Sequence, residues 1–404
     1  MYSVMISCGE PSGDLYAGAL AREIRHLSPA VRVAGLGGDH LRRAGAELVG
    51  DYRGLSVTGL VEAVRVLPRA WAVHRALVER ARRERPDALV VIDFPDFNFR
   101  LARSLHRLGV PVVYYVCPQV WAWRPGRVRL LKRLVDRALV IFPFEAAIYR
   151  DAGIPVEFVG HPLLDLTPVS AGRGALAAEW GLDGAAPTVA LLPGSRPNEV
   201  RGTLPTLAAA VPLIAARVPG VQFVVARAPN LPEGLFGPLR EARGSRIIDV
   251  AGRADDVLSA SDVVITASGT ATVQAAIHQK PMVIVYRLSP LTYHLGKRFV
   301  NVDTYGMANL VAGRRIVPEL IQDAFTPGAV AAEAARYFED AAYAAQTRDA
   351  LAEVCARLGE AGASRRAAEQ VLAVCKARGR GLHESGARPV ANRGIINDRI
   401  PGRD

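Results

Sequence analysis

Short runs of β-branched and other apolar residues alternate with amphipathic stretches from the start of the chain. The runs at 2–8, 31–36, 88–92, 110–116, 137–142 and 156–159 have the length and composition of buried strands. Stretches between them, such as 16–27 and 99–108, repeat their apolar positions with the period of a helix. This alternation predicts an α/β fold with a mostly parallel, doubly wound sheet. The pattern restarts with runs at 188–192, 221–226, 246–250, 263–266 and 282–286, so a second sheet of the same kind is expected. The stretch 162–184, with Pro, Gly and Ser, is the expected joint. Two such sheets make a central cleft between their carboxyl ends, where ligands bind. After Phe325 the chain reads as helical to about Ala377, and 378–404, without periodicity, reads as a disordered tail. The expected division is 1–165, 166–377 and the tail 378–404.

Composition agrees with two globular domains. The 404 residues exceed one ordinary core, and half are hydrophobic while 22% are charged. No apolar run reaches the ~18 residues needed to span a bilayer. Residues 1–7 read as a buried strand, not a signal peptide. A cytoplasmic protein, free or attached to a membrane from that side, is expected. The four cysteines are far apart and predict isolated thiols. A net charge of +11 favours anionic partners, from phosphorylated substrates to acidic lipid.

Candidate chemistry lies in loops behind strands. Gly9-Glu10-Pro11-Ser12-Gly13-Asp14 leads into a helix, and Glu10 and Asp14 sit where carboxylates face the cleft. Helix capping by Ser12 or Asp14 explains the same residues equally well. The strand 88–92 runs into Asp93-Phe94-Pro95-Asp96-Phe97-Asn98. Asp96 or Asn98 can cap the following helix. Asp93, too early to cap, is the better general base. Trp121 and Trp123 follow another strand, suited to a sugar ring, an acyl chain or simple packing. Arg124, Arg127, Arg129, Lys132 and Arg133 form a basic stripe, but no nucleic-acid motif accompanies it. In the second half, Ser195 and Arg196 stand at a strand–helix corner, where an Arg can neutralise a departing diphosphate or make a surface salt bridge. Ser268, Gly269 and Thr270 form a second corner suited to phosphate. A P-loop, an Asp-x-Asp pair and a ligand-spaced His/Cys/carboxylate cluster are all missing, so neither a metal nor a cofactor is expected.

The stretch 60–85 places Leu60, Val64, Leu67, Trp71, Val78 and Ala81 on one helical face among seven Arg residues. It reads as an interfacial membrane helix, or as a helix packed on the sheet and kinked or split by Pro68.

In this order the loops resemble lipid-A-disaccharide synthases, inverting glycosyltransferases with the two-domain GT-B fold of paired Rossmann-like sheets. The most specific matches are Asp93-Phe94-Pro95-Asp96-Phe97-Asn98 and Pro118-Gln119-Val120-Trp121-Ala122-Trp123-Arg124. The resemblance implies attack by the 6-hydroxyl of 2,3-diacylglucosamine 1-phosphate (lipid X) on UDP-2,3-diacylglucosamine. The β-1,6-linked disaccharide 1-phosphate forms and UDP leaves. It implies Asp93 as the base with Glu10 and Asp14 as further catalytic carboxylates. It also implies substrate contacts from Arg196, Ser195, Ser268, Gly269, Thr270, Gln274, Asn309, Asn98 and Trp123. An anionic membrane surface and a homodimer come with it, whereas nucleic acid does not. Gln274 stands where the family usually carries Glu, and Met307-Ala308-Asn309 where it carries Leu-Pro-Asn. The competing readings are another UDP-sugar enzyme of the same fold, such as a cell-wall glycosyltransferase or an epimerase, and a non-catalytic nucleotide- or lipid-binding relative.

Overall fold

The computed structural model describes residues 1–55, 60–118, 127–242, 245–287, 304 and 306–384, without the side chains of 60–65 and 379–384. Two parallel sheets form. In the first half the strands are β1 (Ser3–Cys8), β2 (Arg32–Gly37), β3 (Glu47–Asp51), β4 (Ala88–Ile92), β5 (Val112–Tyr115), β6 (Arg137–Val140) and β7 (Val156–Phe158). Their order is β3-β2-β1-β4-β5-β6-β7. In the second half they are β8 (Thr188–Leu192), β9 (Gln222–Arg227), β10 (Arg246–Ala251), β11 (Val263–Ala267), β12 (Met282–Tyr286) and β13 (Glu319–Ile321), ordered β10-β9-β8-β11-β12-β13. The central strands β4, β8 and β11 are buried along their whole length, as a parallel sheet covered on both faces requires.

In each sheet the strand order reverses beside the first strand of its half. β1 lies between β2 and β4, and β8 between β9 and β11. The loops after β1, β4, β8 and β11 therefore open at the two switch points, where doubly wound sheets bind ligands. They are the loops singled out in the sequence.

The helices that matter here are α1 (Pro11–Leu27), α2 (Asp39–Arg43), α3 (Leu60–Glu84) and α4 (Pro95–His106). Pro68 does not split α3, which runs unbroken for 25 residues. Leu77 and Ala81 anchor its far end in the core, while Leu67 and Trp71 remain 44% and 65% exposed.

The chain ends by returning to the first half. The last helix, Ala363–Glu384, continues past Arg378, where a tail was expected to begin; 385–404 lie outside the described residues. Arg366 Nε donates to the Val159 carbonyl at 2.8 Å, and Arg137 donates to Gln370 at 2.7 Å. One apolar core runs from Val4, Ile6 and Leu20 through Leu192 and Val264 to Val371 and Cys375, so it joins both halves.

Candidate active site

Asp93 is the first residue after β4. Asp93 and Phe94 both lie in the left-handed backbone region, with φ of 43° and 50°. Such a conformation costs an ordinary residue about 1–2 kcal/mol, so the surroundings must hold it. The Asp93 carbonyl accepts from Asn98 Nδ2 at 2.7 Å and from the Tyr114 hydroxyl at 3.0 Å. Asn98 is fully buried, and its own oxygen accepts from Ser7 Oγ at 2.7 Å. Phe94 presses on the loop after β1. A Cβ on Gly9 would stand 2.1 Å from the Phe94 ring, so only glycine permits the approach. The two loops are locked together.

Glu10 precedes α1. Across the cleft, Arg196 reaches it with Nη2 2.5 Å from Glu10 Oε2. Arg196 Nη1 lies 2.6 Å from Glu199 Oε1, and Glu199 Oε2 accepts from the backbone N–H of Ser195 at 3.2 Å. Glu199 thus fixes the corner after β8 and aims the guanidinium at the first half. Burial, then the charge of Glu10, pushes the Asp93 carboxyl up to about 7, against the Phe94 N–H and Arg196, which act to lower it. Burial works against the charge of Arg196, but Glu10 and Glu199 outweigh it and its pKa moves up. Tyr286, at the end of β12, feels Glu199, Arg196 and Glu10 as well. Tyr16 on α1 feels Asp93 on its own wall and Thr270 from the second half.

The remaining expected residues divide. Gly269 has φ of 138° with open space where a Cβ would be, so its backbone bends into the start of the helix Thr270–Ile277. Ser268 and Thr270 flank it, half-buried at the cleft. Gln274 Nε2 donates to Asp255 Oδ1 at 3.2 Å, so a carboxylate stands beside this amide after all. Asp14, expected with the catalytic acids, is turned away. It accepts from Gly38 N at 2.6 Å, His40 N at 2.9 Å and Leu41 N at 3.2 Å, and so caps α2. Asn98 and Asn309 are fully buried and bind the chain itself. The Asn309 oxygen accepts from Ile316 N at 2.8 Å, and its amide donates to Glu319 at 2.7 Å. Trp121, Trp123 and Arg124 lie outside the described residues. Glu199, Tyr286, Tyr16 and Asp255 join the site without having been expected. Glu199 and Asp255 stand in the first turns of helices and Tyr286 ends a strand, but what each of them faces is set by the tertiary fold. Among the described residues, no three His, Cys, Asp or Glu side chains cluster where a metal ion could sit.

A half-buried carboxylate near neutrality on one wall can take a proton from a hydroxyl. A guanidinium on the opposite wall can neutralise an anionic leaving group. The family model described as lipid-A-disaccharide synthetase matches residues 4–374. The lipid-A-disaccharide synthase of Geobacter sulfurreducens is 44% identical over 92% of this chain and 97% of its own length. That of Myxococcus xanthus is 43% identical over 91% and 96%. The chain belongs to the lipid-A-disaccharide synthase family. It is a glycosyltransferase of lipid A biosynthesis. Solved structures share its fold at low identity. A UDP-GlcNAc 2-epimerase from Neisseria meningitidis bound to UDP-GlcNAc superposes with a TM-score of 0.66 at 13% identity, covering 92% of this chain and 100% of its own. The kitacinnamycin glycosyltransferase gives 0.61 at 20%, covering 93% and 99%. The epimerase and cell-wall readings keep only this GT-B fold, while the synthase relatives match nine-tenths of the sequence.

A base with a raised pKa works only once deprotonated, so kcat/KM should rise as pH passes through about 7. The folded state binds this proton more tightly than the unfolded chain does. The stabilisation is therefore fully present below the ordinary aspartate pKa and is lost as pH rises through about 7. Asp93→Asn should cost roughly 10²–10⁴-fold in kcat, yet raise Tm relative to wild type more at pH 8 than at pH 5. A pH-rate profile paired with thermal melts checks both. Full activity in Asp93→Asn would remove the base.

Proposed function

We propose that this synthase joins UDP-2,3-diacylglucosamine to 2,3-diacylglucosamine 1-phosphate with Asp93 as general base and Arg196 as the clamp on the diphosphate. One observation carries the reading. The half-buried carboxylate of the first half and the guanidinium of the second meet in one charge cluster through Glu10.

The acceptor's 6-hydroxyl gives its proton to Asp93 as its oxygen bonds to the donor's anomeric carbon. The bond from that carbon to the diphosphate oxygen breaks, and UDP departs with the electron pair. Attack from the side opposite the diphosphate inverts the configuration and gives the β-linkage. Charge grows on the leaving diphosphate, and that is what Arg196 is placed to meet. To do so it exchanges Glu10 for phosphate oxygens, while Glu199 keeps its direction. Ser195, Ser268 and Thr270 add hydroxyls, and the helix Thr270–Ile277 adds the positive end of its dipole. Gln274 takes the ribose hydroxyls, a reading supported by the Asp255 carboxylate beside its amide. Asn98 and Asn309 act at one remove, by holding loops.

Both substrates carry acyl chains, so the enzyme works at the cytoplasmic face of a membrane. Among the described residues no helix is long and apolar enough to cross one. Attachment is instead peripheral, through the exposed Leu67 and Trp71 of α3, with Arg69 and Arg75 exposed beside them. An aromatic–aliphatic patch flanked by Arg suits the interface of an anionic bilayer.

UDP release in detergent with EDTA tests the reaction. Release should require both lipid substrates, and Arg196→Ala should cost about 10²-fold in kcat/KM for the donor. Equal turnover of UDP-GlcNAc without acyl chains would overturn the substrate class. Sedimentation with anionic vesicles tests attachment. Leu67→Ser with Trp71→Ser should lower the bound fraction while activity in detergent is kept. Unchanged binding would exclude this face.

A further inference from the structure

The basic stripe that begins at Arg127 has no part in the reaction as described so far. Arg129, Lys132 and Arg133 are exposed on the helix Val128–Leu134. Arg127, just before that helix, is different. Its side chain is 26% exposed, with the guanidinium 5.4 Å over the Phe99 ring. One N–H lies 2.7 Å from Asp96 Oδ1, and the others have no acceptor among the described residues. Asp96 is itself 78% exposed, so this pair contributes little stability in water. A guanidinium lying on an aromatic face with free donors is well suited to a phosphate.

The surroundings belong to the active site. Phe99 and Asp96 are both on α4, which starts two residues after Asp93. The charge of Arg127 also acts on the Tyr114 hydroxyl, the group that donates to the Asp93 carbonyl. Asp96 follows Asp93 by three residues and stands in the first turn of α4. In the acceptor, C1 and C5 flank the ring oxygen, so the 1-phosphate and the 6-hydroxyl share one edge of a single sugar. The positive end of the α4 dipole lies on the same side.

We infer that Arg127 binds the 1-phosphate of the acceptor, exchanging its exposed Asp96 partner for the phosphate while the 6-hydroxyl lies at Asp93. The inference rests on the acceptor proposed above. It gives the enzyme a means of choosing a phosphorylated acceptor and of fixing which hydroxyl faces the base.

Steady-state kinetics with 2,3-diacylglucosamine 1-phosphate, and with the same lipid lacking the phosphate, test it. The wild type should prefer the phosphorylated lipid. Arg127→Gln should raise KM for that lipid about tenfold or more, leaving KM for the donor unchanged. With the phosphate-free lipid, Arg127→Gln should behave as wild type. Arg127→Lys should recover part of the loss, and it carries the comparison alone if the Gln variant does not fold. Equal losses on both acceptors would show that Arg127 only props α4, and would overturn the inference. Wild-type turnover of both acceptors alike would remove the phosphate site but keep the reaction. Turnover of neither would remove the proposed acceptor, and the inference with it.

Discussion

One guanidinium serves two carboxylates, Glu10 across the cleft and Glu199 on its own wall, and the rest of the site depends on that imbalance. Arg196 is 2.5 Å from Glu10 and 2.6 Å from Glu199, so its positive charge is largely spent before Asp93 is reached. Asp93 is half-buried and, among the described residues, has no cation paired with it. Burial and the charge of Glu10 then lift its proton affinity toward neutrality. A carboxylate at its ordinary pKa would be a weak base for a sugar hydroxyl. In the proposed reaction the same arrangement gives the donor a way in, because its diphosphate competes with Glu10 for one cation.

The fold exists to hold that geometry. Asp93 keeps its left-handed backbone because Asn98 and Tyr114 both donate to its carbonyl, and Asn98 is tied to Ser7 on β1. Thus β1, β4 and β5 jointly fix one carboxyl group. On the far wall, Glu199 fixes the corner after β8. The last helix, packed back on the first half, and the shared core keep the two walls facing each other.

The sequence shows the central strands because burial on both faces leaves unbroken apolar runs, and β4, β8 and β12 fall on the expected residues. Of the edge strands, β7 and β10 fall on expected runs, while β3 and β13 escape. β3 is partly exposed throughout, and β13 has three residues and follows no apolar run. Asp93 is legible as a candidate because it directly follows a buried strand. Asp14 is not, because its partners Gly38, His40 and Leu41 lie beyond the next strand. Glu199 and Tyr286 are invisible for the same reason, since what they face is set by how the two sheets meet. A buried amide such as Asn98 or Asn309 gives no local sign of whether it binds ligand or backbone.

The account stands on Glu10 as the group that sets the proton affinity of Asp93. The direct test is the pH dependence of kcat/KM in Glu10→Gln, which reports the free enzyme's base. Removing that charge leaves Arg196 acting on Asp93 with less opposition, so the acidic limb should move to lower pH. An acidic limb that stays in place, or moves upward, would contradict the account.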